Sequence, residues 1–285
     1  MHSHDRAGGR RTDAAWLEEV WADPATRVVV LASGRFPLND DSQVRWISPE
    51  QAPDGDRLFL GLVDGVPYFA VEAGEDAIDT TRTWEGLRKV GQLLSAQDAG
   101  LLIHAIALAE WHQAHRHCPR CGGALIQTDA GHAMRCAQCD RQHFPRTDPA
   151  VIMLVTDGDR ALLGRNQAWP PGRFSTLAGF VDPGESLEQA VAREVLEEVG
   201  VEVADVTYFG NQPWPFPASL MVGFFARAVG GEIDVDGAEI SEARWFTREE
   251  LRAQAEDGTI KLPSGISISR ALIEAWYGAE LPGEW

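Results

Sequence analysis

The sequence contains no apolar run of about 18 residues, which is the length that a membrane-spanning helix requires. Residues 1–15 are polar and lack the apolar segment of a secretory signal, so we expect a disordered tail there and a cytoplasmic protein. Positive charge is scarce as well, since 25 lysines and arginines face 43 acidic residues and the formal net charge is −18. This balance argues against bulk binding of nucleic acid, although one nucleotide end could still occupy a local pocket.

Cysteine is also sparse, and all four cysteines form two C-x-x-C pairs, Cys118 with Cys121 and Cys136 with Cys139. Four thiolates at this spacing predict a closed, structural zinc site in a zinc ribbon. Two disulfides are the alternative, but they would need an oxidising compartment that nothing else in the sequence supports. Four histidines nearby are interpreted as surface residues of a helix that packs on the ribbon: His104, His112, His115 and His117.

With 285 residues, the chain is long enough for more than one hydrophobic core. We predict an α+β protein with a disordered tail over 1–15, an N-terminal α/β domain over 16–110, the zinc ribbon over 111–145 and a second α/β domain over 146–285. In the N-terminal domain the patterns predict a hairpin of Arg57–Val63 with Pro67–Val71, and helices over Thr83–Leu94 and Leu101–His117. No catalytic pattern occurs there, which favours a role in scaffolding or dimerisation.

In the second domain, a Gly/Pro loop over 179–185 leads into a helix that carries three glutamates. Ser186 followed by Gln189 predicts a capping box at the helix start, and Gly200 predicts its end. Apolar residues recur on one side of this helix: Val191, Ala192, Val195, Leu196 and Val199. The glutamates are expected on the other side: Glu194, Glu197 and Glu198.

Glu194 and Glu198 are four residues apart, so their like charges lie one turn apart on the helix. A hard divalent cation would offset that repulsion, and the loop amides at the helix start would suit phosphates. We expect Glu185 to orient either Arg193 or a water molecule beyond the direct metal ligands. A further carboxylate is expected from Glu239 or Glu242, with Asp234 and Asp236 as the weaker candidates, and a solvated acidic loop remains the alternative for all four.

Further along, alternating prolines stiffen the segment 211–219 and hold Trp214 and Phe216 on a rigid loop. Such rings can stack on a planar base or can pack in the core. The remaining predicted elements of this domain are strands at Ala150–Thr156, Arg160–Arg165, Phe174–Gly179, Val203–Phe209, Leu220–Ala228, near Ile233 and at Ala243–Phe246, and a helix at Ser267–Tyr277.

The complete pattern G-x5-E-x7-R-E-V-x-E-E-x-G-V resembles the Nudix box, with every defining position filled. With the downstream run Q-P-W-P-F-P-x-S, the chain resembles the NADH pyrophosphatase subfamily, whose members also remove NAD caps from RNA. The resemblance implies an α/β/α sandwich, Mg²⁺ or Mn²⁺ as catalytic ion, and hydrolysis of NAD(H) to NMN(H) and AMP or of NAD-capped RNA 5′ ends. It also implies a four-cysteine zinc ribbon and a homodimer.

The resemblance assigns roles to individual positions. Metal binding is implied for Ala178, Glu194, Glu198 and Glu239, with Glu197 as the weaker candidate, and the catalytic residues are expected to be Glu185, Arg193, Glu194, Glu197 and Glu198. Substrate binding is implied for Gln212, Pro213, Trp214, Pro215, Phe216, Pro217, Ala218, Ser219, Phe144, Ser269 and Arg88. Phe144 stands where the family usually has Tyr, Asn211 replaces a Ser, and Gly131 replaces a Glu of some members. These departures affect substrate preference rather than the reaction type.

Two other functions are considered. One is a Nudix hydrolase of ADP-ribose or another dinucleotide, against which the Q-P-W-P-F-P run argues. The other is a zinc-ribbon regulator that binds nucleic acid and carries a vestigial Nudix domain. An intact Nudix box and the negative net charge argue against that second function.

Overall fold

A computed structural model describes residues 4–235 and 237–284. The chain forms two compact units, the first comprising Met1–Thr147 with Pro215–Ala218 and the second Asp148–Trp214 with Ser219–Trp285. Within the described ranges, no helix has both the length and the apolar character needed to cross a membrane.

The first unit contains a three-stranded sheet, a two-stranded sheet and the three-stranded ribbon. Its elements are α1 Ala14–Ala22, β1 Arg27–Leu31, β2 Arg35–Pro37, β3 Asp56–Val63, β4 Val66–Glu72, β5 Trp84–Gly86, α2 Leu87–Val90, α3 Ala96–Ala114, β6 Leu125–Thr128, β7 Ala133–Cys136 and β8 Gln142–His143. The first sheet has the order β1-β4-β3, β2 pairs with β5, and the ribbon has the order β6-β7-β8. Helix α3 packs on β3 and β4 and buries Leu101, Leu102 and Ala105.

The predicted hairpin is confirmed, because β3 and β4 pair antiparallel across Asp64 and Gly65, both of which have positive φ. The helix predicted over Thr83–Leu94 is wrong for most of that range. Trp84–Gly86 instead forms β5 against β2, and only Leu87–Val90 is α-helical. Strand pairing with a distant segment therefore overrides the local helical pattern.

Disorder over residues 1–15 is also a wrong prediction for the described part of that tail. Asp5 exchanges two backbone hydrogen bonds of 2.8 Å with Leu62 at the outer edge of β3. A side chain at Gly61 would meet the Asp5 carbonyl oxygen at 2.1 Å, so only glycine allows this approach. His4 is buried and lies 3.1 Å, Nε2 to Nδ1, from His104. The backbone hydrogen bonds of Asp5 and the buried His4 keep this segment ordered, and a hydrophobicity pattern does not predict either contact.

The ribbon covers the rest of the outer edge of β3 with polar side chains. Gln127 donates from Nε2 to the carbonyl of Arg57 at 2.7 Å, and His132 Nε2 lies 2.8 Å from the carbonyl of Phe59. These are hydrogen bonds that a neighbouring strand would otherwise supply. The edge is therefore closed without a fourth strand.

The prediction that the histidines of α3 lie on the surface is wrong for two of them. His104 and His112 are buried, and burial lowers the pKa of His104 to about 2. His112 Nε2 lies 2.8 Å from the carbonyl of Gly131 in the ribbon segment. Histidine tolerates such sites because the neutral ring can still form hydrogen bonds.

The second unit is built on a six-stranded sheet with helices on both faces. Its elements are β9 Asp148–Asp157, β10 Arg160–Asn166, β11 Leu177–Phe180, α4 Leu187–Val199, β12 Glu202–Trp214, β13 Ser219–Gly230, β14 Ile240–Thr247, α5 Arg248–Glu256 and α6 Ile268–Tyr277. The order is β12-β13-β9-β10-β14, with β11 pairing β9 and with β13 parallel to β9.

Strand β9 shows why two layers of helices are needed. Val151 and Met153 pack with the buried stripe of α4, whereas Ile152 and Leu154 pack with α5 and α6. A strand whose side chains are apolar on both faces must be covered on both faces. The expected α/β/α sandwich is thereby confirmed.

Two details of this unit differ from the predicted elements. No strand forms near Ile233 within the described residues, where 231–235 is irregular. Helix α5 is an additional element, and it begins with a capping box of Thr247 and Glu250 that the sequence contains.

Candidate active site

Helix α4 begins and ends where the sequence predicts. Ser186 Oγ accepts from the N–H of Gln189 at 3.2 Å, and Gln189 Oε1 accepts from the N–H of Ser186 at 2.8 Å. Gly200 ends the helix with φ 71°. The predicted faces need one correction, because Leu196 is 50% exposed whereas Glu198 is only 6% exposed. One of the three glutamates therefore lies inside the protein surface.

Arg193 joins the loop to the helix. Its guanidinium donates to Glu185 at 2.5 and 3.1 Å, Glu194 at 2.9 Å, Glu197 at 3.0 Å and the Phe180 carbonyl at 2.9 Å. Glu185 also accepts from the N–H of Asp182 at 2.7 Å. These bonds hold the pKa of Glu185 below its usual value and raise that of Arg193. As predicted, Glu185 orients Arg193, and the loop is fixed to α4.

The carboxylate of Glu194 lies directly against the backbone of β11. A Cβ atom on Gly179 would be 1.9 Å from Glu194 Cδ, so the absence of a side chain there creates the space that this carboxylate occupies. Burial raises the pKa of Glu194, hydrogen bonds from Arg193 oppose the rise, and the charges of Glu197 and Glu239 add to it. Glu239 is thus close enough to act electrostatically on Glu194.

This donor set fits a hard divalent cation. Glu198 offers a buried carboxylate and Glu194 a partly buried one, α4 packs on β11, the strand that contains Ala178, and Glu239 adds negative charge. Oxygen ligands of this kind suit Mg²⁺ and Mn²⁺. A positive ion would relieve the electrostatic cost of placing carboxylates together.

The other acidic candidates differ from Glu239 in their surroundings. Glu242 forms ion pairs with Arg165 at 3.5 Å and Arg244 at 3.4 Å. Asp234 donates its N–H to the Val199 carbonyl at the C-terminal end of α4. Asp236 lies outside the described residues. Among the described candidates, Glu239 is the one whose charge is seen to raise the pKa of Glu194.

Gly179→Ala is expected to displace the Glu194 carboxylate, because the new methyl group would overlap it. We expect kcat and Mn²⁺ affinity each to fall about 10–100-fold, as when a residue that supports a metal ligand is changed. Mn²⁺ binding is measured by electron paramagnetic resonance and kcat by steady-state hydrolysis. Gly210→Ala in β12 is the matched control, since a Cβ there meets no atom within 4 Å. Equal Mn²⁺ affinity in the two variants would contradict the steric argument.

The four cysteines converge in the first unit. Their sulfur atoms all lie within 4.8 Å of one another, with Cys118 3.8 Å from Cys139 and Cys121 3.5 Å from Cys136, and all four are free thiols. A tetrahedral zinc with Zn–S bonds of about 2.3 Å spaces its sulfurs at about 3.8 Å. A hydrogen bond from the N–H of Cys139 helps to lower the pKa of Cys136 to about 6. The geometry fits zinc, and these S···S distances are longer than the S–S bond of about 2.05 Å in a disulfide.

The predicted substrate-binding run forms the end of β12, the connecting turn and the start of β13. Its turn, Pro215–Ala218, belongs to the first unit. There the guanidinium of Arg88 lies 4.2 Å from the ring centre of Phe216, and the ring packs against the core around α3. Arg88 and Phe216, each expected from the sequence to bind the substrate, are thus in contact with each other.

The other predicted substrate residues vary in exposure. Phe144 is 66% exposed, as a ring that receives a planar ligand would need to be. Ser269, in contrast, is 2% exposed, and its hydroxyl bonds to Ser175 and Thr176. The structure adds one candidate, Phe180, which directly follows Gly179 at the end of β11 and has a ring that is 58% exposed. Its aromatic side chain within the Gly/Pro loop was the available signal.

Three family models together match most of the chain. Residues 146–263 match the NUDIX domain, 24–111 the NADH pyrophosphatase-like rudimentary NUDIX domain, and 113–144 the NADH pyrophosphatase zinc ribbon domain. The chain belongs to the Nudix hydrolase family and is an enzyme of the branch that carries these NADH pyrophosphatase-type domains.

Particular relatives carry a more specific name. The chain is 42% identical over 248 residues to the NAD-capped RNA hydrolase NudC of Stutzerimonas stutzeri, covering 86% of this chain and 87% of that protein. It is 40% identical over 297 residues to the NAD-capped RNA hydrolase NudC of Mycobacterium tuberculosis, covering 97% and 93%. A solved Nudix hydrolase from Nitrosomonas europaea aligns with 59% of this chain and 96% of its own, at 22% identity and a TM-score of 0.46.

Proposed function

We propose that this enzyme hydrolyses the pyrophosphate of NAD(H) to NMN(H) and AMP, and removes NAD caps from RNA 5′ ends, with Mg²⁺ or Mn²⁺ as its catalytic ion. The observation that carries the proposal is the partly buried Glu194 carboxylate, seated in the space at Gly179, with the buried Glu198 one turn further along α4. The names of the relatives at 40–42% identity support the choice of substrate.

Each part of the site has a role in this reaction. Glu194, Glu198 and the Ala178 carbonyl would hold the cation, which when bound neutralises phosphate oxygens and makes water more acidic. Arg193 and Glu185 keep the loop and α4 in one arrangement, so the carboxylates need little reorganisation. Backbone amides of the loop and the start of α4 would face the phosphates. Glu197 is 61% exposed, so its carboxylate, which pairs with Arg193, faces the solvent side of α4.

The other parts of the proposal concern the whole protein. The four cysteines would hold one structural zinc ion, and the run Gln212–Ser219 would bind the substrate, while the role of Phe144 stays a prediction. A homodimer and a cytoplasmic location stay predictions. The acidic net charge is compatible with binding one capped RNA end rather than coating an RNA.

Incubation with NADH and Mn²⁺ tests the proposal directly. We expect NMNH and AMP as the only products by chromatography, and no turnover after the divalent ion is removed. ADP-ribose at the same concentration is the comparison, and we expect a lower kcat/KM for it. Preferential cleavage of ADP-ribose, or NADH cleavage that persists without the ion, would contradict the proposal.

Phe216→Ala is expected to destabilise the protein, because the ring packs on the first unit's core and under Arg88. The ring is only partly buried, so we expect a loss of about 2 kcal/mol in the free energy of unfolding, below the about 3–5 kcal/mol of a fully buried Phe. Urea unfolding measures the loss, and the KM for NADH is determined on the same sample. A raised KM with unchanged stability would assign the ring to substrate stacking instead.

A further inference from the structure

The side-chain amide of Gln212 is engaged at both of its polar atoms by the start of α6. Nε2 donates to the carbonyl of Ile266 at 2.6 Å, and Oε1 accepts from the N–H of Ile268 at 2.9 Å. Ser267, between them, is the N-cap of α6. Gln212 thus holds the first turn of α6 against the strand that carries the substrate-binding run.

Ser269, in that same turn, binds the segment leading into β11. Its Oγ accepts from the Thr176 hydroxyl at 2.8 Å and from the Thr176 N–H at 3.2 Å, and it shares a 2.8 Å hydrogen bond with Ser175 Oγ. A hydroxyl offers one donor and two acceptor positions. Three bonds use them all, so this side chain has no hydrogen-bonding capacity left for a substrate atom.

Thr176 immediately precedes β11, the strand that contains Ala178 and Gly179. Glu194 depends on the position of this strand, because its carboxylate lies against Gly179. Helix α6 also packs closely on β13, where a Cβ on Gly223 would lie 2.9 Å from Ile268 Cδ1. One helical turn therefore contacts the substrate-binding strand on one side and the metal-site strand on the other.

We propose that the first turn of α6 is a brace between the substrate-binding run and the metal site, with Gln212 and Ser269 as its positioning residues. This role rests on the proposed function of the site. Neither side chain needs to contact the substrate. Each keeps β11 and β12 in a fixed relation, and small displacements of metal ligands cost affinity and rate.

Ser269→Ala tests the metal side of the brace. It would leave the buried Thr176 hydroxyl and N–H without their acceptor, so β11 should shift or loosen. We expect the Kd for Mn²⁺, measured by electron paramagnetic resonance on the full chain, to rise about tenfold. Under saturating Mn²⁺, kcat should fall while the KM for NADH changes little.

Matched variants separate positioning from general damage. Thr176→Val removes the same hydroxyl bond from the other partner and should weaken Mn²⁺ binding similarly, whereas Thr176→Ser should retain wild-type affinity. Ser264→Ala is the control for a serine lost near α6, since its hydroxyl makes no hydrogen bond among the described residues. Mn²⁺ affinity is measured well below each variant's Tm, so a stability change alone does not move it.

Gln212→Ala tests the connection across the turn. Although Gln212 lies on β12, its loss should also raise the Kd for Mn²⁺. In the double variant Gln212→Ala/Ser269→Ala the increase should be smaller than the product of the single increases, because both residues act through one element. Independent effects that multiply, or single variants within about twofold of wild type, would overturn the brace.

The same measurements distinguish failure of the brace from failure of the proposed function. Wild-type protein that binds Mn²⁺ but does not cleave NADH would contradict the proposed function, while the comparison of Mn²⁺ affinities would still decide the brace. Variants with wild-type affinity in a protein that does cleave NADH would remove the brace alone.

Discussion

Glu198→Gln is expected to lower kcat for NADH about a thousandfold while the protein stays folded. The amide has the shape of the carboxylate but no charge, so it cannot replace an anionic ligand to a hard cation. Loss of several kcal/mol of transition-state stabilisation corresponds to about three powers of ten in rate. Glu198 is only 6% exposed, so solvent would not compensate for the missing charge. Steady-state kinetics at saturating Mn²⁺ measures the effect.

Glu188→Gln is the matched control on the same helix. Glu188 lies in the first turn of α4 and is exposed, so the same chemical change there should leave kcat near its wild-type value. Thermal unfolding of both variants checks that neither loses the fold. Wild-type kcat in Glu198→Gln at saturating metal would contradict the assignment of this carboxylate to the metal site.

Removal of zinc is expected to lower the Tm by about 10–20 °C. The four sulfurs lie within 4.8 Å of one another, so a zinc ion bound to all four would hold the ribbon in this shape. Binding of a structural zinc is folding free energy, and a loss of about 5 kcal/mol corresponds to this shift for a unit of this size. Purified protein should contain one zinc per chain by mass spectrometry.

A strong chelator also removes the catalytic ion, so the controls must separate the two metals. Adding back Mg²⁺ should leave the Tm low, whereas Zn²⁺ should restore it. Cys136→Ser should show the low Tm without chelator and little further change with it. Zinc-free protein with an unchanged Tm would refute the structural zinc, and a fall caused by a reductant alone would indicate disulfides.

The elements predicted correctly are those whose signals are local. Helix α4 carries its capping box and its terminal glycine within the sequence that forms it, and the β3–β4 hairpin has its Asp64-Gly65 turn. The sandwich followed from a recognisable motif. Helix α5 had a comparable signal in Thr247 and Glu250, and it could have been predicted by the same rule.

What the sequence could not provide is the pairing of single polar side chains with distant backbone. Ser269 forms a hydrogen bond with Thr176, which lies 93 residues away in the chain, and no sequence periodicity predicts this contact. The burial of Glu198 likewise depends on what packs over α4, because helical period alone places it beside Glu194. The requirement for glycine at position 179 comes from the closeness of the Glu194 carboxylate, which the sequence does not show.

The way the ribbon closes the outer edge of β3 links zinc to solubility. Gln127 and His132 occupy the Arg57 and Phe59 carbonyls only while the ribbon keeps its shape. An exposed strand edge is a template for pairing with other chains. Zinc loss would then expose the unpaired edge of β3 as well as destabilise the fold. Metal-depleted protein would therefore aggregate at concentrations at which the zinc-bound form does not.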